Sequence, residues 1–183
     1  RVAEFIDREK DGPFAICINF LEPHPPYVGP TDDLYDPAEL PQSPVFMVNP
    51  PEDAAGMHRL MAEAQQSDAS APGIHQAGSE VLGRDLPPEE AVAEGPASNT
   101  EGEYRRIQAS YYGLVTLMDR AIGNILDAID EAGIAENTVV VFTSEHGDQM
   151  GDHNIFQKIV MYEQSVKVPC LVRVPWLRSE EHT

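Results

Sequence analysis

Glu145 and His146 follow the apolar run Thr138–Phe142 (TVVVF) and open the stretch EHGDQMGDH, residues 145–153. A carboxylate offers a hard, charged oxygen and an imidazole offers a nitrogen, so the pair suits a divalent cation. A polar turn closing a strand, with the histidine bonded locally, would read the same way, and these residues alone leave both readings open. Gly147 lets the chain turn sharply and leaves room for a ligand. Asp148, Asp152 and His153 add metal-type side chains, but Gly147 and Gly151 break any helix, so this is not the helical zinc arrangement. The alternating ligands and closing Glu of a calcium-binding EF-hand loop are absent as well. Most of these residues are expected to be hydrogen-bonders of the loop. His24 stands between prolines in PHPP, whose stiff, extended backbone aims the imidazole. An ordinary exposed loop histidine is the alternative. Lys158 is the next cation downstream; beside a carboxylate-rich site it can meet an anionic substrate, and elsewhere it would be solvated.

Three apolar runs are expected to position these residues. Phe14–Phe20 (FAICINF) follows Asp-Gly-Pro, runs into Glu22-Pro23-His24 and reads as a buried strand. Thr138–Thr143 is continuous in Val and Phe, as in a parallel strand covered on both faces. CLVRV from Cys170 reads as a third strand, after a short helix near Met161–Val166. Between the first two strands, Thr100–Glu103 fits a capping box. Tyr104, Ile107, Tyr111, Leu114, Met118, Ile122, Ile125 and Ile129 then recur at steps of three and four, the stripe of a long helix that Gly133 stops. Asp119, on the edge of that stripe, is expected to be structural. The order predicts an α/β fold with a mostly parallel sheet sandwiched by helices, in which ligands bind beyond the carboxyl ends of the strands.

Composition narrows the function. The 183 residues suffice for one ordinary core. With 12 Lys and Arg against 31 Asp and Glu, the formal charge of −19 argues against nucleic acid or an anionic membrane surface. No run approaches the roughly 20 apolar residues of a membrane span. Residues 52–99, with 9 Asp and Glu against 2 Arg and rich in Ala, Glu, Ser, Gly and Pro, read as a solvated surface insertion with one short helix at MHRLMAEAQQ. Cys17 and Cys170, each in an apolar run, are expected to be buried free thiols. The chain opens at Arg1 inside an apparent helix and is expected to be a piece of a longer protein.

Three blocks taken together resemble the sulfatase family of the alkaline phosphatase superfamily. FAICINFLEPHPPY is similar to the family's strand and Pro-His-x-Pro-Tyr loop. The segment from YRRIQASYYG to VVVFTSEHGD is similar to its long helix and Ser-Asp-His-Gly strand end. GDHNIFQKIVMYEQSVKVP is similar to its Gly-Asp-His, Lys and Tyr-Glu-x-Ser-x-x-Val-Pro segment. The resemblance implies an alkaline-phosphatase-like α/β fold. Residues 1–183 would form part of a single sulfatase-type catalytic domain, with 45–100 a variable, loop-rich insertion. It further implies hydrolysis of a sulfate ester on a small molecule or saccharide, a bound calcium ion and a formylglycine nucleophile made from Cys or Ser. By motif position Glu145 and His146 fall on the metal ligands, His24 and Lys158 on residues contacting the sulfate and leaving-group oxygens, and His153 on a recurrent residue near the substrate. Family members are often periplasmic, lysosomal or secreted.

Two departures stand out. The family usually has Asp where this chain has Glu145. The nucleophile motif, Cys or Ser followed by x-Pro-x-Arg, is absent, as is the pair of Asp metal ligands found early in family members. Cys17 precedes Ile-Asn-Phe and Cys170 precedes Leu-Val-Arg, so neither fits. This stretch alone is therefore expected to be inactive. A phosphodiesterase or phosphonate monoester hydrolase of the same superfamily, and a degenerate non-catalytic relative, are the competing readings.

Overall fold

A computed structural model describes residues 1–66 and 100–177. Its elements are α1 (Val2–Glu9), α2 (Gly56–Gln66), α3 (Glu101–Glu131), a short 3-10 turn (Ala135–Asn137), β1 (Val140–Thr143), a one-turn helix α4 (Glu163–Val166) and β2 (Cys170–Arg173). Most of the segment read as an insertion, residues 67–99, lies outside the described residues.

The 31-residue helix α3 is the spine, and its ends are written in local chemistry. At the start, the Thr100 side chain accepts from the Glu103 N–H at 3.3 Å, satisfying one of the donors that every helix N-terminus leaves open. Glu101 and Glu103 complement the positive end of the helix dipole and pair with Arg105 and Arg106 at 2.7 Å each. At the end, Gly133 adopts φ +70; its N–H donates to the Asp130 carbonyl and the Ile134 N–H to that of Ile129. This double return is a Schellman stop.

The apolar stripe of α3 organises the core. Tyr104, Ile107 and Leu114 pack with Tyr27 and Phe156, and Phe46, Met47, Tyr111 and Met150 close around them. The Tyr104 and Phe156 rings meet edge to face at 4.8 Å, a favoured aromatic geometry. A second cluster joins α2 to the segment after the Gly-Asp-His turn: Met61 and Ala62 against Ile155 and Val160, with Tyr162 alongside. The helix α1 also packs on α3. Among the described residues no helix is long and apolar enough to cross a membrane.

Among the described residues the sheet is a single strand pair. The strands β1 and β2 pair antiparallel, Val140 opposite Arg173 through Thr143 opposite Cys170. The 26 residues joining them carry only a one-turn helix, and the chain doubles back from the end of β1 instead of crossing to its start. Parallel pairing needs that crossover. Phe14–Phe20, expected as a buried strand, forms no ladder with described residues and is anchored by the Phe14 ring against Phe5 of α1. Both cysteines are exposed, contrary to the buried thiols expected, because these apolar stretches have no cover over them among the described residues. Val141, Leu171 and Val172 are likewise exposed.

Candidate active site

The strand β1 ends at Thr143 and delivers Glu145 and His146 at the sheet's edge. The Ser144 hydroxyl donates to the His146 carbonyl at 2.7 Å and shapes the turn. His146 Nδ1 lies 2.9 Å from the Gly147 carbonyl. A carbonyl only accepts, so Nδ1 carries a proton, and the neutral ring then presents a lone pair at Nε2. That Nε2 faces Glu145 Oε1 at 2.8 Å. Two acceptors at hydrogen-bond distance demand something positive between or upon them: either a second ring proton or a shared cation. Backbone orientation of one imidazole nitrogen, leaving the other for a metal, is the usual support of a ligating histidine. The pair therefore fits a divalent ion as two of its ligands. No group of three or more His, Cys, Asp or Glu that could complete a shell occurs among the described residues.

Gly147 has a different role from the turn expected of it. Its φ is not in the left-handed region; its N–H donates to the Ser165 carbonyl at 2.8 Å, and a Cβ here would run into the Gln164 carbonyl oxygen. The strand end is thus pressed against α4. Gly147→Ala is expected to destabilise the protein by about 1–3 kcal/mol, the range for forced overpacking, because the obstacle is backbone and cannot swing aside. Urea unfolding of the variant checks this.

Asp148 gathers the site. Its Oδ2 accepts from the Tyr27 hydroxyl at 2.7 Å, and its Oδ1 from the N–H groups of Met150 at 3.0 Å and Gln157 at 2.9 Å. Tyr27 belongs to the His24 loop and Gln157 directly precedes Lys158. Burial pushes the Asp148 carboxyl up from its usual range, while these three bonds and the field of Lys158 pull it back. The two loops and the strand end are therefore brought together. Sequence reasoning expects Asp148 only to bond within its own loop, and the HGD triplet, with no spacing rule attached, offers little sign of more.

His24 lies half-buried, its Nδ1 held by the Pro25 carbonyl at 2.8 Å. By the same donor logic its Nε2 is left available. Lys158 is half-buried between the buried Phe156 and Val160, and its ammonium makes no ion pair among the described residues. His153 sits elsewhere in character. Its backbone is left-handed (φ +55), its N–H donates to the Val45 carbonyl at 2.9 Å, and its ring stacks on Tyr162 at 4.0 Å. Tyr162 in turn meets His58 of α2 at 4.3 Å, making a three-ring stack that braces α2 against the site. Burial lowers the pKa of His153. A cleft of about 260 Å³ opens beside α3, lined by Gln108, Tyr111, Asp148, Gln149 and Asp152 among others. Its two carboxylates suit donors and cations, not a sulfate group. His24, Glu145, His146 and Lys158 do not line it.

Comparison with known proteins identifies the family and the fold. The sulfatase family model matches residues 1–182. The multifunctional alkaline phosphatase superfamily protein PehA of Trinickia caryophylli is 32% identical over 167 residues, 90% of this chain and 29% of its own length. An arylsulfatase of Clostridium perfringens is 31% identical over 171 residues, 92% of this chain and again 29% of its own length. The phosphonate monoester hydrolase of Agrobacterium radiobacter superposes with a TM-score of 0.60 at 26% identity, over 94% of this chain and 32% of that one. The chain thus spans under a third of the length of these relatives, and its fold is alkaline-phosphatase-like. By sequence and by fold, the chain belongs to the sulfatase family.

Proposed function

We propose that the intact protein is a sulfuric ester hydrolase, and that this chain supplies two of its metal ligands and its leaving-group contacts. Residues 1–183 form part of one catalytic domain, with 45–100 a variable insertion. The substrate is a sulfate ester on a carbohydrate or aryl group, in keeping with the arylsulfatase among the relatives. One observation carries the reading: Nε2 of His146 and a carboxylate oxygen of Glu145 lie 2.8 Å apart on a strand end tied by Asp148 to the His24 and Lys158 segments.

In this reading Glu145 and His146 hold a divalent ion, calcium, which when bound lends positive charge to the ester oxygens. The nucleophile, a formylglycine, is expected outside this sequence. Lys158 offsets negative charge developing on the sulfate and the departing oxygen. His24, with its Nδ1–H committed to the Pro25 carbonyl, gives a proton from Nε2 of the doubly protonated ring to the leaving alkoxide, becomes neutral, and takes a proton back from water. His153, stacked on Tyr162, is assigned a substrate-side role by motif position alone.

A second reading, phosphonate monoester or phosphodiester hydrolysis, draws on the phosphonate monoester hydrolase neighbour and the multifunctional relative. Assaying the intact protein on 4-nitrophenyl sulfate, a phenyl phosphonate monoester and a bis-aryl phosphate diester separates the two. The sulfate ester is expected to lead in kcat/KM by about tenfold or more, a difference of roughly 1.4 kcal/mol in transition-state binding. A reversed order favours the second reading, and turnover of none favours a binding protein.

A further inference from the structure

Asp148 has no part in the chemistry above, yet three of the groups that do, His24, His146 and Lys158, lie within three residues of it or of a residue bonded to it. Tyr27, three residues after His24, donates to Oδ2 at 2.7 Å. Gln157, the residue before Lys158, donates to Oδ1 at 2.9 Å, and Met150 shares that oxygen at 3.0 Å. His146 is two residues upstream of Asp148 in the chain. With both oxygens engaged, the carboxylate has little left to offer a substrate. Hydrogen bonds to an ionised acceptor are short and strong, and a single carboxylate accepts several donors at once where an amide cannot.

We propose that Asp148 is a positioning residue, its one carboxylate fixing the spacing of His24, His146 and Lys158. The proposal rests on the reading of those three as site residues. It concerns geometry rather than protonation: the tie joins stretches far apart in sequence that share no sheet ladder. Displacing a reacting group by about 1 Å can cost 100-fold in rate.

The test uses the intact protein with Asp148→Asn, Tyr27→Phe and the double variant. Two readouts are taken: turnover of 4-nitrophenyl sulfate, and hydrogen exchange at the Gln157 amide. Asp148→Asn keeps the shape but turns one acceptor oxygen into a donor. It is expected to lower kcat by about 30- to 100-fold while KM moves less than about threefold. Tyr27→Phe, which deletes the bond to Oδ2, is expected to cost about tenfold, and the double variant about as much as Asp148→Asn alone. Tyr27→Phe is also expected to speed exchange at the distant Gln157 amide by about tenfold, since that amide shares the carboxylate.

A merely structural Asp148 gives a different pattern. Lost activity would then track the unfolded fraction, kcat per folded molecule would stay within about twofold of wild type, and Gln157 exchange would ignore Tyr27. That result overturns the proposal. If Asp148→Asn does not fold, Tyr27→Phe carries both readouts by itself. If the wild-type protein turns over no ester, the functional reading has failed, and exchange at Gln157 still decides the tie: acceleration upholds it and no change ends it.

Discussion

Lys158→Ala in the intact protein is expected to lower kcat for a sulfate ester by about 10²–10³-fold, the usual cost of removing one donor aimed at developing transition-state charge. The reason lies in what surrounds the ammonium. It makes no ion pair among the described residues, and Asp148, the carboxylate whose field it shares, is committed to three other donors. A lysine so placed has its charge free for a ligand. The segment carrying it is held on both sides, by Ile155 and Phe156 with no exposed surface and by Val160 at 2%. The stem is therefore aimed rather than floppy. Sulfate carries one negative charge in the ground state, and more charge gathers on the leaving oxygen as the ester bond breaks. Loss of Lys158 should thus fall mainly on kcat and less on KM. Lys158→Arg keeps the charge but replaces a point ammonium by a planar fork, and is expected to restore only part of the rate. Steady-state kinetics of the three proteins check this, and near-normal kcat for Lys158→Ala removes the residue from the mechanism.

Much of the frame supporting that lysine is legible in the sequence, because it is local. The stripe of α3, its Thr100 cap and its Gly133 stop are each set by residues within one or two turns, and the helix occupies Glu101–Glu131 as those signals require. Strand β1 and the short helices follow from equally local patterns. Pairing is another matter. Val and Phe in a row predict a strand covered on both faces, but not its partner's direction, which depends on how residues 144–169 travel. Here they return antiparallel. The exposure of Cys17 and Cys170 has the same origin, since an apolar run declares what it wants covered and not what covers it.

The site divides along the same line. Glu145, His146, His24 and Lys158 are proposed from residue type and motif order. Their common tie at Asp148 is not, because it joins residues 27 and 148, and no periodicity reaches that far. Gly147 shows how a correct residue can carry a wrong reason. Its smallness makes room for the Gln164 carbonyl, where the sequence suggests a sharp turn and space for a ligand. The stacking of His153 on Tyr162 and His58 is equally non-local.

Chelation of the intact protein is expected to abolish turnover, with calcium restoring it, and Glu145→Gln to do the same without rescue at ordinary calcium concentrations. The geometry explains why so small a change should be so costly. Glu145 is largely solvent-exposed, so it holds its place through His146 Nε2 and not through packing. In the Glu145→Gln variant the oxygen stays but the charge is gone, and a hard dication binds a neutral amide far less well than a carboxylate. His146 alone, with Nδ1 tied to the Gly147 carbonyl, offers one nitrogen to a metal that prefers six to eight oxygens. Glu145→Asp is the informative partner. It restores the side chain usual in the family, one methylene shorter. If the loop has adjusted to the longer residue, Asp falls short of the ion and calcium affinity drops. If the loop has drifted with loss of function, Asp leaves affinity unchanged or improves it. Calorimetric titration with calcium measures both variants without reference to catalysis. Binding by wild type that Glu145→Gln loses upholds the metal assignment. Indifference of all three proteins to calcium removes Glu145 and His146 from it and favours a non-catalytic relative that kept the fold.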